Sequence, residues 1–167
     1  KAPVMGRTLK SWMYVLDSAS LADGWDQKWV YTIGVPDLNV SVVPINTSVP
    51  AGQEVMITAT CLAPRGKAAT SSYLLLNASG TGSDPIYFGY DGPANKMYLR
   101  NDANSAWLGG YEPGSANTIS NRFVAINCAN SSAAMADNQL EIRWSLTPLA
   151  DAAGRSFGVR MYTMDTG

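Results

Sequence analysis

The sequence predicts an all-β protein whose short antiparallel strands form a two-layer sandwich. Three observations support this prediction. Apolar and polar residues alternate with a period of two, helical periodicity is absent, and Gly, Pro, Asn and Asp cluster between the alternating stretches. These turn clusters recur about every 8–12 residues, a spacing that is typical of a β-sandwich.

The strongest alternation lies in residues 53–62 and 138–146. The apolar face of the first segment carries Val55, Ile57, Ala59 and Cys61, and that of the second carries Leu140, Ile142, Trp144 and Leu146. Both faces are predicted to lie in the core, which makes Trp144 a core residue. The other predicted strands are 38–43, 72–77, 85–90, 96–100, 106–108, 122–128 and 158–164.

Composition restricts the partners and the location of the protein. The formal net charge is −1, which favours neither nucleic acid nor an anionic membrane surface as a partner. No apolar run reaches the roughly 18 residues of a membrane span. Charged residues make up 15% of the chain, against about 25% in an average globular domain, and Ser, Thr, Asn and Gly replace them. This composition is typical of an extracellular or cell-surface protein.

The sequence favours a protein that is not an enzyme and that needs no cofactor or metal. It contains no histidine, which excludes His-based catalytic triads and the commonest general base. Carboxylates remain, but Asp91 and Asp102 lie in turn clusters, where such side chains hydrogen-bond the backbone. The oxygen-rich loops 91–95 and 101–104 leave calcium binding open as an alternative.

The two cysteines, Cys61 and Cys128, both lie on apolar faces of predicted strands. In an exported sandwich such a pair can join two strands, so we expect a Cys61–Cys128 disulfide. The alternative is two separate buried thiols.

An internal repeat divides the chain. Residues 6–17 and 154–165 align without gaps at a spacing of 148, the interval from Gly6 to Gly154. The identical pairs are Gly6/Gly154, Arg7/Arg155, Met13/Met161, Tyr14/Tyr162 and Asp17/Asp165. The repeat predicts that residues 1–34 are an N-terminal arm, a copy of the closing strands of a neighbouring repeat, and that residues 35–167 are the sandwich body. Because the chain opens with Lys1, we expect a processed product or a slice of a longer array.

The stretch YFGYDGPANKMYLRNDANSAWLGGYEPGSANTISN, from residue 87 to 121, resembles a module that occurs in tandem in large secreted bacterial surface proteins of Ig-like type. Segments similar to NQLEIRWSLTPL and GRSFGVRMYTMD follow in that module, and then a closing element similar to DGWDQKWVYTI, which lies here at residues 23–33. The resemblance implies an Ig-like sandwich in a repeat array and brings no catalytic residues. It also implies a cysteine pair near positions occupied here by Ile86 and Val124, so this chain departs from the pattern.

These patterns predict a structural subunit of an extracellular surface or filamentous assembly. The body is expected to have an open strand edge after residues 158–164, and copies of the chain are expected to join head to tail by strand addition. Trp25, Trp29, Val30 and Ile33 of the arm are the predicted subunit contacts. Filament and ring both remain open, as does an arm folded back on its own body.

A second function of a different class also fits the sequence. Trp107 and Tyr111 are candidate ligand or interface aromatics, because exposed aromatic rings suit stacking on sugars. The alternative is therefore a carbohydrate- or receptor-binding module of an adhesin or phage fibre, with a glycan as partner. A solvent-facing aromatic stripe would favour this alternative.

Overall fold

The structure is a computed structural model that describes residues 8–16, 22–32, 39–44, 46–64, 66–77 and 86–166, with the first two ranges described by their backbone alone. The chain divides into two compact units, Lys1–Asp37 and Leu38–Gly167. Each unit is described by itself.

The N-terminal unit contains one two-stranded antiparallel sheet. Strand β1 spans Thr8–Leu16 and strand β2 spans Ala22–Thr32. Tyr14 lies opposite Trp25, and Ser11 lies opposite Trp29. The register shifts between Ser11 and Trp12, because Lys28 bulges out of the ladder.

The body contains two sheets. The first comprises β3 (Asn39–Val43), β4 (Val55–Leu62), β9 (Thr118–Ser120), β10 (Val124–Asn127), β11 (Ser132–Ala136) and β12 (Gln139–Pro148) in the order β3-β4-β12-β10-β9, with β11 also paired to β12. The second comprises β5 (Ala69–Asn77), β6 (Ile86–Asp91), β7 (Lys96–Arg100), β8 (Trp107–Tyr111) and β13 (Gly158–Asp165) in the order β13-β5-β6-β7-β8. One short 3-10 helix spans Ala150–Ala152.

The two antiparallel sheets pack face to face, which confirms the predicted all-β sandwich. The alternating faces predicted for β4 and β12 do point into the core: Ala59, Cys61, Ile142 and Trp144 are 0% exposed. Phe88 of the opposite sheet packs edge to face against Trp144, with 4.8 Å between ring centroids. The short strands β9 and β11 were not predicted, because segments of three and five residues carry too little alternation to be recognised.

The predicted Cys61–Cys128 disulfide is wrong, because the structure holds both residues as free, buried thiols. Cys61 lies on β4, and Cys128 follows the end of β10. Strand β12 lies between β4 and β10 and pairs with both. Strands flanking a common neighbour are about 10 Å apart, whereas a disulfide needs Cα atoms within about 7 Å. Both cysteines do share the predicted inward face, but the strand order separates them.

Candidate functional site

The outer edge of β13 is the first feature that points to a partner. Strand β13 pairs with β5 from Gly158 opposite Asn77 to Asp165 opposite Ala69, and no other strand of the described residues pairs with it. Val159 and Met161 lie on the face that turns toward the other sheet, opposite Leu76 and Leu74. Val159 nevertheless remains 42% exposed. An open edge presents unpaired backbone N–H and C=O groups that can accept another strand.

A cavity of about 610 Å³ opens between the two sheets beside the start of β13. Its apolar lining comes from both sheets and from the segment that leads into β13, and includes Val55, Ile57, Leu76, Ile86, Val124, Leu146, Phe157 and Val159. The exposed Val159 therefore lies at the mouth of an incompletely covered core. Polar residues, among them Thr47, Ser48 and Arg155, line the rest of the opening. Its apolar part, next to a free strand edge, suits an incoming strand that carries a large apolar side chain.

The internal repeat relates β13 to a strand of the N-terminal unit. Tyr14 of β1 and Tyr162 of β13 are equivalent positions in the repeat, and both repeated segments form strands. Within the N-terminal unit, β1 is paired with β2, and Tyr14 lies opposite Trp25. Within the described residues β1 and β13 each pair with one strand, β1 with β2 and β13 with β5.

The outer face of the second sheet carries a cluster of aromatic rings. Tyr162, Tyr73 and Tyr98 lie in one row across the sheet, with Gly89 between the two inner tyrosines. The next row carries the other members of the cluster, Tyr87 on β6 and Trp107 on β8. Ring centroids are 6.0 Å apart for Tyr73 and Trp107 and 5.2 Å apart for Tyr87 and Trp107. We call these five residues (Tyr73, Tyr87, Tyr98, Trp107 and Tyr162) the aromatic face.

The rings of Tyr73 and Trp107 lie across the sheet. Their strands, β5 and β8, are separated by β6 and β7, so the two backbones are about 14 Å apart. A centroid distance of 6.0 Å requires both side chains to extend toward each other over the intervening strands. Gly89 makes room for this arrangement, because a Cβ there would lie 2.3 Å from Cδ1 of Tyr73. The result is a low, continuous aromatic surface.

Two arginines accompany the aromatic face. The guanidinium carbon of Arg100 lies 4.4 Å from the ring centre of Trp107, and Arg100 Nε is buried without a hydrogen-bond partner. Arg160 borders a depression of about 160 Å³ together with Tyr73, Tyr87 and Tyr162.

Asp91 lies on the same face beyond Tyr73, opposite Lys96 on the neighbouring strand. Burial raises the pKa of the Tyr73 hydroxyl, and the charge of Asp91 raises it further.

The candidate residues from the sequence fall into separate places. Trp107 is 38% exposed and belongs to the aromatic face, whereas Tyr111 is 40% exposed but lies opposite core residue Met97, off that face. Trp25, Trp29 and Val30 lie on β2, where the structure describes the backbone alone, and Ile33 lies outside the described residues. The sequence analysis did not identify Tyr73, Tyr87 and Tyr98. The pattern that could have indicated them is an aromatic residue at the outward positions of strands that pair with each other.

The oxygen-rich loops hold their own backbone. Asp91 Oδ1 accepts a hydrogen bond from the Ala94 N–H at 3.3 Å, and Asp102 Oδ1 accepts one from the Arg122 N–H at 2.8 Å. Asn101 Oδ1 accepts a hydrogen bond from the Ser105 N–H at 2.8 Å. The Asp91 and Asn101 contacts are turn chemistry, in which side-chain oxygens close a local loop, whereas the Asp102 contact ties its loop to the backbone 20 residues further along the chain. Within the described residues no group of three or more Cys, Asp or Glu residues is placed to hold a metal ion.

Comparison with known proteins gives no match to a family model, to a curated protein or to a solved structure. No helix in the described part of the chain is long and apolar enough to cross a membrane. The candidate sites therefore rest on the geometry of the sandwich itself.

Proposed function

We propose that this chain is a structural module of an extracellular or cell-surface assembly, in which copies join head to tail by strand addition at β13. The observation that carries the proposal is the open edge of β13, whose repeat equivalent β1 is paired with β2. A strand like β2 is therefore the natural partner for that edge. The donor is the segment Ala22–Thr32 of a second copy.

The repeat also specifies the register of the added strand. Because Tyr14 lies opposite Trp25 and Ser11 lies opposite Trp29, the equivalent residues Tyr162 and Val159 should face Trp25 and Trp29 of the second copy. Opposed residues in an antiparallel pair project from the same face. Trp29 would thus lie beside Val159 at the mouth of the cavity, and Trp25 would lie beside Tyr162 on the outer face.

This register refines the predicted contacts. Val30 lies opposite Lys10 in β1, the equivalent of Gly158, so it would project from the outer face. Trp29 is then the residue that covers the apolar cavity. Strand β2 exchanges its partner β1 for the equivalent strand β13, so the backbone hydrogen bonds are conserved in number. The apolar surface that Trp29 buries supplies the net gain.

Such a contact is head to tail. The donor segment, Ala22–Thr32, and the acceptor, Gly158–Asp165, are different surfaces, so each copy offers one of each. Contacts between unlike surfaces continue from copy to copy, and they close into a ring or extend as a filament.

A pairwise cross-linking experiment tests the register between chains. One chain carries Trp25→Cys and a second chain carries Tyr162→Cys, and the two are mixed under mild oxidation. Opposed positions in an antiparallel ladder lie about 5 Å apart, which a disulfide can bridge. We expect a covalent heterodimer on a non-reducing gel, because neither introduced thiol has a partner on its own chain. The buried native cysteines do not compete.

Val43→Cys provides the control acceptor. Val43 is an exposed residue, 54% accessible, on β3, the edge strand of the other sheet. Mixed with the Trp25→Cys chain, it should give no heterodimer. Equal cross-linking to positions 43 and 162, or none at position 162, contradicts strand addition at β13.

A further inference from the structure

We infer that the aromatic face of the second sheet is a binding site for an acidic carbohydrate, a chain of pyranose rings that bear carboxylates. This inference goes beyond the proposed assembly and does not depend on it, because the residues involved all belong to one sandwich body.

The shape of the face fits a sugar chain. A pyranose ring presents a flat array of C–H groups that packs against the face of an aromatic ring. Tyr73 and Trp107 lie across the sheet rather than standing up from it, as their centroid distance of 6.0 Å shows. The cluster extends from β13 at one edge of the sheet to β8 at the other. The rings converge, with 6.3 Å from Tyr162 to Tyr73 and 6.0 Å from Tyr73 to Trp107, so the cluster offers room for a short run of sugar rings.

The exposure of the face argues against a purely internal role. Tyr162 is 62% exposed and Trp107 is 38% exposed, whereas the aromatic side chains that serve the core, Phe88 and Trp144, are 0% exposed. Contiguous exposed apolar surface on a folded domain marks an interaction site.

Charge selects an acidic ligand. Arg100 and Arg160 lie among the rings, and neither forms an ion pair with another described residue. The Arg100 guanidinium lies against the Trp107 ring, 4.4 Å from its centre, so its charge is held beside the rings. Asp91 lies beyond the tyrosine row and opposite Lys96, and Lys96 also pairs with Glu112 at 3.1 Å. A guanidinium recognises a carboxylate by paired, charge-assisted hydrogen bonds.

Single-stranded nucleic acid also stacks on aromatic platforms flanked by arginine. The net charge of −1 for the whole chain gives little long-range attraction to any polyanion, so it does not separate the two ligands. We assign the face to an acidic sugar because aromatic rings suit pyranose faces and guanidinium groups suit carboxylates, and we make nucleic acid an outcome of the test.

Calorimetric titration of the whole chain tests the inference with two matched tetrasaccharides. One is β-1,4-linked glucose and the other is its β-1,4-linked glucuronic acid counterpart, so they differ in the oxidation of C6. We expect the acidic tetramer to bind more tightly and to lose affinity as salt is raised. Trp107→Ala should weaken binding about tenfold, the effect of removing one stacked ring.

Four further variants separate stacking, charge and folding. Trp107→Phe retains a ring and should keep most of the affinity, which makes the result interpretable if Trp107→Ala folds poorly. Arg100→Gln or Arg160→Gln should weaken the acidic tetramer and leave the neutral one unchanged. Tyr111→Ala is the matched control, because Tyr111 is an exposed aromatic residue of the same strand that lies off the face. It should bind like the unmodified chain.

Three results would overturn the assignment. Failure of the acidic tetramer to bind at millimolar concentration removes the site. If both tetramers bind equally and neither arginine variant changes this, the face does not prefer an acidic sugar. Tighter binding of an oligothymidylate of equal charge assigns the face to nucleic acid instead.

Discussion

Trp144 is the residue on which packing between the two sheets centres. It is fully buried, and it contacts Phe88 of the opposite sheet at 4.8 Å between ring centroids. Trp144→Ala should lower the free energy of unfolding by about 3–5 kcal/mol, because a large cavity replaces the ring. Urea denaturation measures the loss. Met56→Ala on the exposed face of β4 is the control and should change stability by less than about 0.5 kcal/mol.

Trp144 and the cysteines also show what a sequence can predict at this scale. A period of two identifies the buried face of a strand, so Trp144 and Cys61 are found correctly from their alternating neighbours. The same period contains no information on which strands become neighbours. The position of β12 between β4 and β10 therefore could not be predicted, and the expected disulfide was wrong.

At the scale of strands, β5 and β6 illustrate how a glycine shapes a surface. Tyr73 lies opposite Gly89, and a Cβ at that glycine would lie 2.3 Å from the tyrosine ring. Gly89→Ala should therefore displace the ring and lower the free energy of unfolding by about 1–3 kcal/mol. In a Tyr73→Ala background the same change should cost much less. A double-mutant cycle measured by urea denaturation gives this coupling directly, and additive effects would contradict the contact.

The aromatic face could not be predicted from the sequence, because its members lie on different strands. Tyr73, Tyr87 and Tyr98 each occupy an outward position of an amphipathic strand. A single tyrosine at such a position does not by itself predict a binding site. They become a cluster only when β5, β6 and β7 pair in their observed register. Of the five members of the cluster, Trp107 alone was a candidate from the sequence, and its partners came from the structure.

At the scale of the whole molecule, the sandwich has edges that differ in their surroundings. Strand β13 contributes Val159 to the mouth of the open cavity, whereas β3 forms an edge of the other sheet, where Val43 is exposed and Pro44 rather than Val43 lines the cavity. Val159→Lys places a charge where a strand would dock, and inward-pointing charges on an edge block strand addition. We expect this variant to be monomeric at concentrations where the unmodified chain forms oligomers. Sedimentation velocity measures both.

Val43→Lys is the matched control for that experiment. It introduces the same charge at an exposed valine on β3, and it should leave the oligomers intact. If Val43→Lys dissociates the oligomers as readily as Val159→Lys does, the assembly depends on net charge and not on the β13 edge.

In the proposed assembly, the two free thiols would report the mechanical opening of a module. Both cysteines of the sequence are fully enclosed between the sheets, and burial raises the pKa of each thiol. Because the thiolate is the reactive form, a closed module resists alkylating reagents. If the assembly is a fibre, stretching it in such a reagent would alkylate the cysteines of each module that had opened and leave those of closed modules unmodified. The modified cysteines would then identify the modules that had opened under tension.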